Sequence, residues 1–287
     1  MYSKPSAPRS IGGVLDDGIR LGRAAFAKTW PLAFAAQIFY ALPMVFFGSQ
    51  LGADAGSMQA SMMAMQSSGF RAGFGVVYLA VLLVAIGFHN AIVAQNLGAA
   101  EGIERTMGES LSIGFRLVPR GVLMGILVAL GFVLIAICFI IPGIFVGQLG
   151  RAALIALFLV PLFFYLGRLF LGNVIYVAED SGAYASLLRS WHLTKDNYWR
   201  TAAILTVLFV MVFVTLFVVG LLTGFAAAAL VAAKSTMSLL VVQLISAAAN
   251  TLYIPFISAV VLSVYYDLKL RKEGTDLASR VDSLATR

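Results

Sequence analysis

The chain has 287 residues, 61% of them apolar and 11% charged, with a formal net charge of +7. Soluble domains run near half apolar and a quarter charged, so no aqueous core could hide this much apolar surface and the solvent must be lipid. The basic charges lie mainly in connections between apolar runs, which excludes a nucleic-acid partner and points to a membrane.

In chain order, the first predicted element is a cytoplasmic amphipathic lead-in over residues 1–29. Within SIGGVLDDGIRLGRAAFAKTW, Ile11, Leu15, Ile19, Phe26 and Trp30 recur on one helical face. Asp16 and Arg20 make an i, i+4 pair in the favourable order. The stretch GRAAFAKT has Ala27 where a phosphate-cradling loop needs its second glycine, and no strand precedes it. The first apolar run begins at Trp30, too late and too long for a cleavable signal peptide.

A helix needs about 20 mainly apolar residues to cross the hydrocarbon core. Six stretches qualify: 30–49, 73–97, 121–142, 152–178, 201–223 and 238–265. Residues 30–265 are therefore read as a six-span membrane domain and 266–287 as a basic cytoplasmic tail. After the first span, Met58, Met62 and Met65 share a helical face. Thioethers suit Cu(I), but without His or Cys beside them these read as adaptable apolar filler, and no metal is assigned. A weaker lead-in, ESLSIGFRLVPR, puts Leu111, Phe115 and Val118 on one face. The third and fourth spans are nearly fused; Pro142, Gly143, Gly147 and Gly150 supply the break. The single Cys138 lies in an apolar run, which excludes an intrachain disulfide and a cysteine-cluster metal site.

Before the fifth span, YASLLRSWHLTKDNYW reads as one helix, with Tyr184, Leu187, Leu188, Trp191 and Tyr198 on one face and His192, Asp196 and Arg200 on the other. Such a helix lies in the headgroup plane, where Trp and Tyr keep their polar edges wet. The predicted lipid-headgroup interface comprises Arg189, Trp191, Lys195, Tyr198, Trp199 and Arg200. It continues after the last span with Tyr265, Tyr266, Lys269, Arg271 and Lys272. Lead-ins before alternate spans leave two readings open. One is a three-fold parallel repeat of about 80 residues beginning near 10, 103 and 183; the other is that each lead-in is amphipathic for its own sake.

Sixteen of the 20 basic residues fall on one side of these spans. They are Lys4, Arg9, Arg20, Arg23, Lys28, Arg105, Arg116, Arg120, Arg189, Lys195, Arg200, Lys269, Arg271, Lys272, Arg280 and Arg287. Positive charge stays inside, so both termini are predicted to be cytoplasmic.

SLLRSWHLTKDNYWR after VAEDSGAYA, IPGIFV closing a span, VYYDLKLRKEG after the last span and the opening SIGGVLDDGIRLGRAAFAKTWPL resemble a bacterial family. It is the six-span membrane domain attached to some glycerophosphodiester phosphodiesterases, together with stand-alone relatives. The resemblance implies an inner-membrane protein. The phosphodiesterase activity of fused members sits in a separate soluble barrel that these residues could not supply.

No acid lies within a span, and neither a zinc-binding helix nor a Gly-x-Ser-x-Gly elbow occurs. No catalytic residue, cofactor or enzyme activity is therefore predicted. Candidate ligand-binding residues are Arg168, His89, Asn90 and Asn173. Interhelical hydrogen bonding is the structural alternative for the amides and His89. Arg168 lies eleven residues before Glu179, which on an unbroken helix at about 1.5 Å per residue is roughly 16 Å from the edge, near mid-bilayer. It would have to snorkel, bind backbone or amide oxygens, line a wet cavity or hold an anion.

The expected protein is an all-α, polytopic integral membrane module without enzyme activity. It binds anionic membrane lipid or a partner membrane protein; the alternative is a small permease that uses Arg168 for an anionic or amphipathic solute.

Overall fold

A long apolar chain in lipid must satisfy its backbone internally, and a helix does so within each segment. The computed structural model describes residues 4–5, 7–47, 68–232, 238–274 and 281, and holds helices without a strand among them. In order they are α1 (Ile11–Phe47), α2 (Ser68–Glu101), α3 (Met107–Arg116), α4 (Val118–Phe145), α5 (Gln148–Leu169), α6 (Gly172–Ala178), α7 (Ala183–Thr194), α8 (Tyr198–Ala232) and α9 (Ser238–Glu273). Met58, Met62, Met65, Lys234, Arg280 and Arg287 lie outside the described residues.

Five segments are long and apolar enough to cross a membrane: Ala72–Glu101, Val118–Phe145, Gln148–Ala178, Tyr198–Ala226 and Leu244–Glu273. They coincide with the second to sixth expected spans. The expected first span, 30–49, is not among them. Its described part is the far half of α1, which runs unbroken through Pro31 and Pro43. The lead-in and the run after it are thus one helix.

The buried stripe of α1 also differs from the expected face. Gly18, Leu21, Gly22, Ala25, Thr29 and Ala33 are buried, whereas Trp30 is exposed and Ile11, Leu15, Ile19 and Phe26 are half-buried. Close approach explains the choice. A Cβ at Gly18 would stand 2.6 Å from the Val260 Cα, and one at Gly22 2.6 Å from the Phe256 ring. Where lipid removes the hydrophobic drive between helices, small residues that let backbones meet decide the seam. α1 makes its most extensive contact with α9, and next with α2.

The other two lead-ins repeat the pattern. A reciprocal cap starts α3: Glu109 N–H donates to Thr106 Oγ1 at 3.2 Å and Thr106 N–H to Glu109 Oε2 at 2.8 Å. The helix buries Ser110 and Gly114 and leaves Phe115 exposed. α7 buries Ala183, Ser186, Leu187, Ser190, Leu193 and Thr194, while Tyr184, Leu188 and Trp191 face outward. The expected single helix through Tyr198 is broken. A turn at Lys195 and Asp196 redirects the chain, and Thr194 Oγ1 bonds back to the Ser190 carbonyl at 2.9 Å.

Burial is uneven. In the most apolar stretch of each span, 44% of α2 residues are buried, against 0% in α4 and 6% in α8. The core joins α1, α2, α6 and α9 through Leu21, Val93, Leu97, Leu171, Ile175, Tyr176 and Leu262. A second cluster, Leu32, Ala33, Phe88, Ala91 and Ile92, extends it between α1 and α2. α4 and α5 form a hairpin that breaks at Val146 and Gly147, four residues beyond the expected start of the interruption at Pro142, which lies inside α4.

Candidate functional site

Near the end of α5, Arg168 is 8% exposed. Its guanidinium carbon lies 4.9 Å from the Phe164 ring centre, 5.1 Å from Tyr198 and 5.4 Å from Trp191. Phe164 precedes it by one turn, Trp191 comes from α7, and Tyr198 opens α8. The rings also touch one another: Phe164 and Tyr198 centres are 4.9 Å apart, Phe164 and Trp191 6.0 Å. Gly167 makes room, since a Cβ there would meet the Tyr198 ring at 3.2 Å. The Ser190 hydroxyl donates to the Arg168 carbonyl at 2.7 Å.

This aromatic cage was not among the surroundings expected for Arg168. Each cation–π contact contributes about 0.5–2 kcal/mol. Against that, Nε and Nη1 are buried without hydrogen-bond partners among the described residues, at about 1–3 kcal/mol each. The two sides are similar in size, so the cage fixes where the cation sits more than it stabilises the fold. The helix assumed to be unbroken turns at Phe170 and Leu171, and α7 folds back until Ser190 reaches Arg168. Arg168 therefore lies level with the start of α8.

The other three candidates lie elsewhere. Asn90 donates to the Gly114 carbonyl at 3.2 Å, and its Oδ1 accepts from the Tyr176 hydroxyl and from Asn173 Nδ2 at 3.4 Å. Asn173 Nδ2 also donates to Tyr176 Oη at 2.9 Å, and His89 lies within interacting reach of Asn173. The structure joins Asn90 and Asn173 through Tyr176, which sequence reasoning missed, with His89 beside Asn173. Its signal was available: a tyrosine one turn after an asparagine, on the same face of an apolar run. The group ties α2 to α6 and does not touch the Arg168 cage.

Above the cage lies a charged layer. Asp267, 2% exposed, accepts the Arg9 N–H at 2.8 Å, Arg200 Nη2 at 3.1 Å and Arg271 Nε at 3.0 Å. The Arg9 carbonyl in turn accepts from Arg200 and from Arg271 Nη2 at 2.7 Å. Glu179 accepts from the Tyr265 hydroxyl at 2.7 Å, Lys269 at 3.2 Å and Arg189 at 3.3 Å. Burial alone would raise the Glu179 carboxyl. The bonds from Tyr265 and Arg189, the Arg189 charge and the bond from Lys269 outweigh it and hold the pKa below the ordinary value. Arg189 also pairs with Glu273, Lys272 with Asp196, and Arg120 with Asp180. Asp16 and Arg20 form the expected pair at 2.7 Å.

Most of the expected headgroup cations thus meet acids of their own chain: Arg189, Arg200, Lys269, Arg271 and Lys272 are all in ion pairs. Tyr265 and Tyr266 are buried in the core instead of marking an outer edge. Trp191 and Tyr198 serve the cage. Lys195 stays exposed and forms no ion pair among the described residues, and Trp199 is 84% exposed.

No curated protein and no solved structure matches this chain. The profile of one family, a domain of unknown function (DUF7847), matches residues 110–268, more than half of the sequence. That stretch runs from the middle of α3 to the last turns of α9 and contains the whole Arg168 cage. The chain belongs to the DUF7847 family.

Proposed function

We propose that the protein is a non-enzymatic module of the bacterial inner membrane that binds anionic lipid. In this reading α1 supplies a sixth span and both termini are cytoplasmic. The observation that carries it is the uncovered face at the charged end: Tyr184, Leu188 and Trp191 on α7, followed by Lys195 and Trp199, all exposed. Aromatic rings beside an unpaired cation suit the headgroup level of an anionic leaflet. The short sequence motifs that resemble the membrane domain of glycerophosphodiester phosphodiesterases are in keeping with a module without chemistry of its own.

The reading is tested by tryptophan fluorescence of the Trp30→Phe protein in nanodiscs carrying brominated phosphatidylglycerol or brominated phosphatidylcholine. One basic residue near the surface contributes about 1 kcal/mol, so Lys195→Gln should weaken the preference for the anionic lipid about fivefold. Equal quenching by both lipids would remove the anionic preference, and absence of quenching would remove the interfacial placement.

The Nε and Nη1 of Arg168, buried and unpartnered among the described residues, favour the second reading, a permease for an anionic or amphipathic solute. Arg168 lines none of the cavities described among the helices. Native mass spectrometry of wild type and Arg168→Gln separates the two. The module reading expects the same retained lipids and stability within about 1 kcal/mol, because the cage's gains and costs nearly cancel. An anionic solute held by wild type and lost from the variant would establish the permease instead.

A further inference from the structure

At the far end of the α4–α5 hairpin, a helix length of about 40 Å from Arg120 and Asp180, lies an apolar groove of about 690 Å³. Its volume falls within the roughly 300–1,000 Å³ of small-molecule sites. Phe132, Phe139, Ile140, Ile144, Ile155 and Phe158 line it. The Phe158 ring meets Phe132 edge-on at 5.9 Å and Phe139 at 5.7 Å, which fixes its floor. Ile140, Ile144 and Ile155 are left uncovered by the rest of the chain.

One cation closes the groove. Arg151 Nε donates to the Gly143 carbonyl at 3.1 Å and to the Val146 carbonyl at 3.2 Å, the last turn of α4. The helix end thus holds one edge of the guanidinium. The two Nη groups have no partner among the described residues, and no Asp or Glu occurs anywhere from Gly121 to Ala178. A positioned fork of donors without a counter-charge among the described residues, beside a groove that only hydrocarbon would fill, matches an anionic amphiphile in both parts. Guanidinium pairs with phosphate by parallel hydrogen bonds, and the phenylalanine and isoleucine walls take an acyl chain.

We infer that the α4–α5 groove holds the acyl chain of an anionic phospholipid, its phosphate on Arg151, in the leaflet opposite the charged end. This rests on the membrane-module reading and adds a second, separate lipid contact to it.

The test uses the full-length protein in nanodiscs of equal phosphatidylglycerol and phosphatidylcholine, released in native mass spectrometry. Wild type should keep one phosphatidylglycerol that Lys195→Gln also keeps. Arg151→Gln should lower its occupancy about fivefold, and Arg151→Lys should restore most of it. Gly143→Leu should displace the chain while preserving the fold: a Cβ there meets nothing nearer than Leu154 Cδ1 at 3.9 Å. Unchanged phosphatidylglycerol in Arg151→Gln and Gly143→Leu would overturn the groove and leave the module standing. Equal retention of both lipids, or a dimer that excludes lipid, would also overturn it. A wild type that keeps no lipid, with no anionic preference in tryptophan quenching, would overturn the groove and the module together.

Discussion

Asp267→Ala is expected to destabilise the protein by about 3 kcal/mol, the lower end of what breaking a buried ion pair costs. Asp267 is 2% exposed, and Arg200 and Arg271 surround it at 3.0–3.1 Å. Removing it leaves both guanidinium groups facing each other beside the Arg9 carbonyl they share. Their side chains are 20% and 29% exposed, so water relieves part of the repulsion and the upper end of the range is not reached. Asp180→Ala is the comparison. That carboxylate, 67% exposed, pairs with Arg120, and exposed pairs contribute about 0–1 kcal/mol. Equilibrium unfolding in mixed micelles should show the difference between the two variants, and equal losses would mean that Asp267 is not the centre of the charged layer.

Gly18→Leu should cost at least about 3 kcal/mol, beyond the typical range for an overpacked site. The obstacle is backbone. The added Cβ would fall 2.6 Å from the Val260 Cα and 2.7 Å from its Cγ2, and no rotamer moves a Cα. α1 and α9 would have to separate, opening the seam at Gly22 and Phe256 as well. Gly12→Leu is the control, because nothing lies within 4 Å of a Cβ there. Helix propensity alone makes that change neutral or slightly favourable. A Gly18→Leu protein that unfolds at the wild-type midpoint would show that the two helices do not pack through this stripe.

The spans after the first were legible because a run of some 20 apolar residues has few other uses. Helix faces were not. For each lead-in the reading followed the large residues, whereas the buried faces carry Gly18 and Ala25, Ser110 and Gly114, or Ser186 and Ser190. Large apolar residues mark the buried side of a helix in water; lipid is as apolar as leucine, and close approach decides instead. The Arg168 cage was hidden for a related reason. Its rings come from positions 164, 191 and 198, and the turn at Phe170 that brings them together leaves no proline or acid in the sequence. Trp191 and Tyr198 were noticed as aromatics and assigned to lipid, because pattern reading cannot pair a ring with a cation twenty or more residues away. Tyr265 and Tyr266 failed similarly: two tyrosines at the end of an apolar run suggest an interface, but α1 and the segment before it cover them.

The contact between α1 and α9 also sets an order in time. Ribosomes add about 5–20 residues per second, so roughly 10–45 s separate the emergence of the two helices. For that interval Gly18, Gly22 and Thr29 face lipid or a temporary companion, and Arg9 has yet to meet Asp267. α1 can dock on α2 early, but its seam with α9 closes only when α9 is made. A nascent chain halted before α9 should therefore present the small-residue stripe to whatever insertase or quality-control factor surveys the bilayer. The arrival of α9 withdraws that stripe.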